Sequence, residues 1–204
     1  MKLLIATSNG HKLKEILTIL SVTGLELLSL RDFPDAPDVV EDGDTFDANA
    51  RLKAGTVAKY AGMWTLADDS GLEVDALAGA PGVISARYAG EPSNDARNNA
   101  KLFAELGSTK NRSARFCCVL ALSDQRGVCE TVEGQCKGNI AGAERGENGF
   151  GYDPLFIPDG YTETFGELEP RVKNGMSHRF RALQRARDDW AAIFRNECES
   201  WNAG

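Results

Sequence analysis

Histidine is scarce, with two in 204 residues, and the five cysteines (Cys117, Cys118, Cys129, Cys136 and Cys198) show no C-x-x-C spacing. That combination supports neither a zinc site nor a disulfide framework, so the thiols read as reduced and mostly buried, as in a cytoplasmic protein. Long apolar runs are missing too. None approaches a membrane span, and Met1-Lys2-Leu3-Leu4-Ile5-Ala6 turns polar too soon for the apolar region of a signal peptide. Positive charge is in deficit: 23 Lys and Arg against 30 Asp and Glu give a net charge of −7. A partner of nucleic acid polymers needs a basic footprint, which this chain lacks. A single nucleotide is a different matter, because one triphosphate asks only for a few local cations and a metal. There is no Walker G-x-x-x-x-G-K-[ST] pattern, no internal repeat and no linker, so residues 1–204 read as a single domain.

What is present is an ordinary globular balance, 42% hydrophobic and 26% charged, at a length that buries a real core without staples. Lys2 to Ala6 reads as a buried first strand. Leu13, Ile16, Leu17 and Leu20 then follow at helical spacing. Between them, Thr7-Ser8-Asn9-Gly10-His11-Lys12 is a small polar loop before a helix start, where free N–H groups face an anion; a plain strand-to-helix connection is the bland reading. Leu25 to Leu30 makes a second strand. An acidic loop follows from Pro34 to Gly43, with Glu41 among carboxylates that suit a hard, oxygen-seeking cation. The run from Thr45 to Ala61 keeps one apolar helical face, capped by Asp44 or Thr45, with Asn49 and Lys53 sharing a side.

The centre of the sequence is Thr65-Leu66-Ala67-Asp68-Asp69-Ser70-Gly71-Leu72. It reads as a strand that stops and turns, Gly71 permitting the turn, with carboxylates at its C-terminal end, where open α/β sheets place their ligands. Adjacent residues there point in different directions, so Asp68 and Asp69 are expected to do different jobs: one holds a metal or activates water, the other fixes the turn. The glycine-rich segment from Gly79 to Gly90 is long enough to be functional. A helix spans Asp95 to Leu106, capped by Ser93 or Asn94. Arg115 to Ser123 and Val128 to Val132 form a hairpin, which breaks a pure βαβ rhythm and predicts a mixed sheet. Gly149-Phe150-Gly151-Tyr152-Asp153-Pro154 precedes a strand at Leu155 to Ile157. The polar stretch ending at Lys173 then leads to Ser177, a natural N-cap for a long final helix with Phe180, Leu183, Trp190, Phe194 and Trp201 on its inner side.

Read in order, these segments give T-x-x-x-x-K after the first strand, E-x-G-x-T-F-x-x-N-A-x-x-K into the second helix, A-D-D-S-G-L, G-A-P-G-V-x-S-A-R-Y, F-G-Y-D-P and S-H-R. The sequence resembles the inosine triphosphate pyrophosphatase family from Lys2 to about Leu183. That resemblance implies an α/β fold with a mixed, elongated central β-sheet flanked by helices in two lobes, the active site lying in the cleft between them. It implies hydrolysis of non-standard purine nucleoside triphosphates (ITP, dITP and XTP) to the monophosphate and pyrophosphate, and a homodimer, on which the residues themselves are silent.

By the same resemblance, Thr7, Ser8, Asn9, Gly10, His11 and Lys12 wrap the triphosphate, with Lys12 and Lys53 as point charges. Glu41 and Asp69 hold Mg²⁺, Asp69 also activates the water that attacks the α-phosphorus, and Ser70 touches the nucleotide beside the metal. Phe150, Gly151, Tyr152 and Asp153 form the purine slot, while Lys173, His178 and Arg179 read the base edge. Donors aimed at the 6-keto oxygen of hypoxanthine or xanthine would meet the amino group of adenine donor to donor, which rejects it by ~10⁴-fold or more. The rivals are a pyrophosphatase for other modified nucleotides on the same scaffold and a non-hydrolytic nucleotide-binding regulator. S-H-R argues against the first; Glu41, Asp69, Lys12 and Lys53 together argue against the second.

Overall fold

The computed structural model describes residues 2–20 and 25–193. Expectations for Phe194, Cys198 and Trp201 lie outside the described residues. In chain order the elements are β1 (Lys2–Ile5), α1 (Gly10–Leu20), β2 (Glu26–Ser29), α2 (Phe46–Ala61), β3 (Thr65–Val74), α3 (Asp95–Leu106), β4 (Ser113–Ser123), β5 (Cys129–Ile140), β6 (Phe156–Pro158), α4 (Pro170–Asn174) and α5 (His178–Asp189), with short 3₁₀ turns between them. The six strands form a sheet in the order β2-β1-β3-β4-β5-β6. Parallel pairing of β1 with β2 and β3, and antiparallel pairing of β5 with β6, make it the mixed α/β sheet that the hairpin predicts.

The chain divides into two compact units. The first takes in residues 1–69, 119–134 and 179 onward. In it β1 is buried through Leu3, Leu4 and Ile5, with Leu3 opposite Leu27 on β2 and Ile5 opposite Leu66 on β3. Helix α1 buries Ile16 and Leu20, one turn apart on the same face. Helix α2 opens where the sequence places it, the Thr45 hydroxyl accepting the Ala48 N–H at 3.1 Å, and closes on Gly62 in the left-handed region. Its buried stripe, Phe46, Ala50, Ala54, Val57 and Ala58, also contains one polar residue, Asn49.

The second unit takes in residues 70–118 and 135–178. Helix α3 has the expected bounds and Asn94 as its cap, the side chain accepting the Arg97 N–H at 2.9 Å. Its Leu102 and Leu106 enter a core with Leu72, Phe116, Phe156 and Phe165, in which the Phe116 and Phe156 rings meet edge to face at 4.7 Å. Three short reverse turns of chain, at 75–77, 82–87 and 153–155, are 3₁₀.

The central segment corrects the sequence reading. Strand β3 does not stop at the acids; it runs for ten residues straight through Asp68, Asp69, Ser70 and Gly71 to Val74. Gly71 is there for close approach and not for a turn, since a Cβ on it would lie 2.4 Å from Ser85 Oγ and 2.5 Å from the Gly82 carbonyl oxygen. Strand β5 also outruns the expected Val132, because the inward positions of its second half include Gly134 and Gly138, which carry no apolar signal. Pro170 opens α4 at its first turn, where the missing N–H leaves no intrahelical bond unmade.

Candidate active site

In the first unit, Asn9 organises the loop after β1. Its Oδ1 accepts the N–H groups of His11 at 2.9 Å and Lys12 at 3.1 Å, while its own N–H donates to Thr7 Oγ1 at 3.3 Å. Thr7 is buried, whereas Ser8, Asn9, Gly10 and His11 are exposed. Of the residues expected to wrap a triphosphate, these leave the loop's surface and the start of α1 facing solvent. Lys12 reaches back to β3, its Nζ 3.1 Å from Asp68 Oδ2.

Asp68 is fully buried and takes a second cation on the same oxygen, Arg179 Nη2 at 3.1 Å. Arg179 is itself buried and also donates through Nη1 to Glu15 on α1. Burial alone would raise the Asp68 pKa, but the charges of Lys12, Arg179 and Lys53 overcome it and hold the carboxyl far below the usual carboxylate range. Asp68 thus stays ionised as the shared counter-charge of two cations, not as a turn former.

Asp69 goes the other way. Burial is the largest influence on it and pushes its pKa up, aided by the negative charge of Glu41 and only partly opposed by Lys12, Asn49 and Lys53. Its Oδ2 accepts from Asn49 Nδ2 at 3.0 Å, and Asn49 Oδ1 in turn accepts the Gly43 N–H at 2.8 Å. One turn along α2, Lys53 Nζ sits 2.8 Å from Glu41 Oε1. The N-A-x-x-K face of α2 therefore grips both acids, Asn49 holding Asp69 and Lys53 holding Glu41. Among the described residues there is no group of three or more His, Cys, Asp or Glu able to hold a metal. Two carboxylates alone fit Mg²⁺, which takes one or two of them and completes its shell with substrate phosphates and water.

In the second unit, the 149–153 loop is tightly wound. Gly149 has φ +78°, and a Cβ there would meet Asp153 Oδ2 at 2.0 Å. Asp153 Oδ2 accepts the Phe150 N–H at 2.8 Å and pairs with Lys173 Nζ at 2.6 Å, both side chains being buried. The Lys173 ammonium also lies 4.9 Å from the centre of the Phe150 ring, within cation–π range. Tyr152 is buried and donates its hydroxyl to the Ser85 carbonyl at 2.9 Å. Ser85 Oγ meanwhile accepts the Leu72 N–H at 2.9 Å, so β3 and the 149–153 loop share one anchor in this unit. His178 stacks on Phe116, ring centres 4.8 Å apart. Ser70 is half-buried on β3.

The structure thus brings Lys12 and Arg179 together on Asp68, Lys53 together with Glu41, Asn49 with Asp69, and Phe150 and Asp153 with Lys173. A model of the Ham1 family matches residues 3–189. The chain belongs to the Ham1 family. It is 50% identical over 188 residues to a protein named dITP/XTP pyrophosphatase from Desulforamulus reducens, covering 91% of this chain and 94% of that one. A protein of the same name from an Exiguobacterium species is 52% identical over 185 residues, with the same two coverages of 91% and 94%. Among solved structures, the Ham1 protein of Staphylococcus aureus is 38% identical with a TM-score of 0.84, over 97% of this chain and all (100%) of that one. A nucleoside-triphosphatase, dITP/XTP pyrophosphatase, from Mycobacterium abscessus is 45% identical with a TM-score of 0.76, over 91% and 98% of the two chains.

For a Ham1 protein the motif-level signals were strong, and what sequence reasoning missed lies one layer behind them. Glu15, three residues after Lys12, belongs to none of the motifs, and nothing in the local sequence announces Arg179 as its partner. Asn49 was visible only through its spacing to Lys53. Ser85 sat inside the G-A-P-G-V-x-S-A-R-Y motif without a role. No helix of the described residues is long and apolar enough to cross a membrane.

Proposed function

We propose that this Ham1 protein hydrolyses non-standard purine nucleoside triphosphates, dITP, ITP and XTP, to the monophosphate and pyrophosphate with Mg²⁺ as cofactor. The observation that carries the reading is the pair of acids gripped from one helical face, Glu41 by Lys53 and Asp69 by Asn49, in a chain half-identical to proteins named for this activity.

In the reaction, the oxygen of water bonds to the α-phosphorus, the bond from that phosphorus to the α,β-bridging oxygen breaks, and pyrophosphate leaves. The water's proton goes to Asp69, which lies beside Glu41 and accepts a hydrogen bond from Asn49. Asn49 holds one of its oxygens and so fixes the direction of the other. Glu41 and Asp69 would hold Mg²⁺, which would supply charge neutralisation at the reacting phosphoryl group. Lys12 and Lys53 stabilise the charge that gathers on the leaving pyrophosphate, and Thr7 through His11 wrap its oxygens, with Ser70 beside the metal. Phe150, Gly151, Tyr152 and Asp153 hold the purine ring, and Lys173, His178 and Arg179 recognise its edge, Arg179 from beside the Asp68 oxygen that it shares with Lys12. The chain works as one domain, as a homodimer and in the cytoplasm.

The test is a pyrophosphate-release assay over purine and pyrimidine triphosphates, with Mg²⁺ and with chelator. Turnover of dITP, ITP and XTP that far exceeds that of ATP and stops on chelation is expected. Equal turnover of ATP, or release that survives chelation, refutes it.

A further inference from the structure

Helix α3 carries no residue of the proposed chemistry, yet two of its side chains close on a single residue of the 149–153 loop. Asp95 Oδ2 accepts the Gly151 N–H at 2.7 Å, and Asn99 Nδ2 donates to the Gly151 carbonyl at 3.3 Å. Four residues apart, Asp95 and Asn99 stand on one face of the helix and hold the two peptide planes on either side of Gly151. Asn99 is 3% exposed, and its Oδ1 is a buried acceptor with no hydrogen-bond partner.

The consequence falls on Phe150. Its own N–H is held by Asp153 Oδ2 at 2.8 Å, and its carbonyl accepts the Asp153 N–H at 3.2 Å. The peptide that follows it is the one whose N–H Asp95 takes. With the planes before and after its Cα both fixed, φ and ψ of Phe150 are determined, and with them the direction in which the ring leaves the backbone. The ring is then steadied over Lys173. A loop ordered in advance spares the ligand the entropy of ordering it.

We infer that Asp95 and Asn99 are positioning residues for base recognition: they clip Gly151 so that Phe150 is presented to the purine before substrate arrives. The inference rests on the reading of Phe150 as the purine platform. It predicts a loss confined to the base half of the substrate, because the phosphate-handling residues belong to other segments of the chain.

The experiment measures KM and kcat for dITP and XTP, and the inhibition constant of inorganic tripolyphosphate, which has no base, for the full chain and for D95A, N99A, D95N and F150A. D95A and N99A are expected to raise KM by about tenfold each, with kcat and the tripolyphosphate constant within about twofold of the parent, the size of one lost hydrogen bond. D95N loses the same negative charge at the start of α3 but keeps an acceptor oxygen for Gly151, so it recovers most of the parent KM; a purely helix-stabilising role for Asp95 would leave it as poor as D95A. Asp95 is exposed, so D95A and D95N answer the question even if N99A does not fold. An unchanged KM in D95A, or a tripolyphosphate constant that worsens in parallel, overturns the inference while F150A still raises KM. If F150A leaves KM unchanged, the purine-platform reading falls and takes this inference with it.

Discussion

The replacement of Asp68 by asparagine isolates the most heavily charged buried group in the first unit. The wild-type carboxylate lies between Lys12 Nζ and Arg179 Nη2, both 3.1 Å from the same oxygen, with Asp68 0% and Arg179 1% exposed. D68N keeps the shape and removes the charge, so two cations that shared a counter-charge lose it together. Breaking a buried pair from one side costs about 3–5 kcal/mol. Two features favour the lower end: Glu15 stays on Arg179, and the Lys12 side chain is 16% exposed and can turn to water. At roughly 2–4 °C per kcal/mol for a chain of this size, a loss of ~3 kcal/mol lowers the melting temperature by ~6–12 °C.

The assay is thermal and urea unfolding followed by circular dichroism, with the urea slope checked for constancy so that a midpoint shift reports stability alone. The pH dependence gives a second arm. The folded Asp68 pKa is depressed by Lys12, Arg179 and Lys53 against the opposing pull of burial. As pH falls through the unfolded value of about 3.9, the unfolded chain takes up the proton and the folded one does not. The contribution of Asp68 is therefore complete above that pH and shrinks progressively below it. The advantage of the parent over D68N is expected to be steady from pH 7 to 5 and smaller at pH 3. A D68N protein that melts within about 2 °C of the parent, or a stability gap that widens on acidification, refutes the account of Asp68 as counter-charge.

Three other outcomes follow from the same structure. D69N retains the Asn49 contact geometry and the fold but loses pyrophosphate release with Mg²⁺ present; activity near the parent level removes Asp69 from its role as base and metal ligand. G71A places a Cβ 2.4 Å from Ser85 Oγ and 2.5 Å from the Gly82 carbonyl, so it destabilises by about 2 kcal/mol or more, and adding S85A relieves only one of the two contacts; a neutral G71A in urea unfolding contradicts the packing of β3 described above. Cys117 is buried, and its thiol pKa is pushed up to about 12, first by burial and then by Glu73. Native alkylation at pH 8 followed by mass mapping is therefore expected to leave Cys117 unmodified, and rapid labelling there would show that the second unit opens readily.

Capping was enough to bound α2 and α3, because Thr45 and Asn94 act within one turn of chain; periodicity served α2 but on α3 pointed to Ala96 and Ala100, which are exposed, where Leu102 and Leu106 are buried. They failed at β3. Asp-Asp-Ser-Gly is turn chemistry by local rules, and what makes it strand is remote: Lys12 and Arg179 neutralise Asp68, Asn49 satisfies Asp69, and Ser85 and Gly82 close on Gly71. Local composition carries none of those partners. The six ordered motifs did carry the family, and with it the expectation that Glu41, Lys53 and Asp69 belong to the site. Glu15, Asp95 and Asn99 stayed hidden because on a helix a charged or amide residue looks the same whether it faces water or a loop many residues away.

The two neighbouring aspartates show how far a strand can separate adjacent side chains. Successive residues of β3 point to opposite faces, so Asp68 meets the cations of α1 and α5 while Asp69 meets the amide of α2. Burial acts first on both, and Lys12 and Lys53 oppose it on both; Asp68 has Arg179 in addition and its pKa is driven down, while Asp69 has the like charge of Glu41 instead and is left raised. The two environments are not interchangeable: Asp68 has the two cations that balance a buried charge, and Asp69 has the amide that orients it. The strand has to run unbroken through both acids for this to work, since a turn at Asp69 would release the alternation that assigns the two roles.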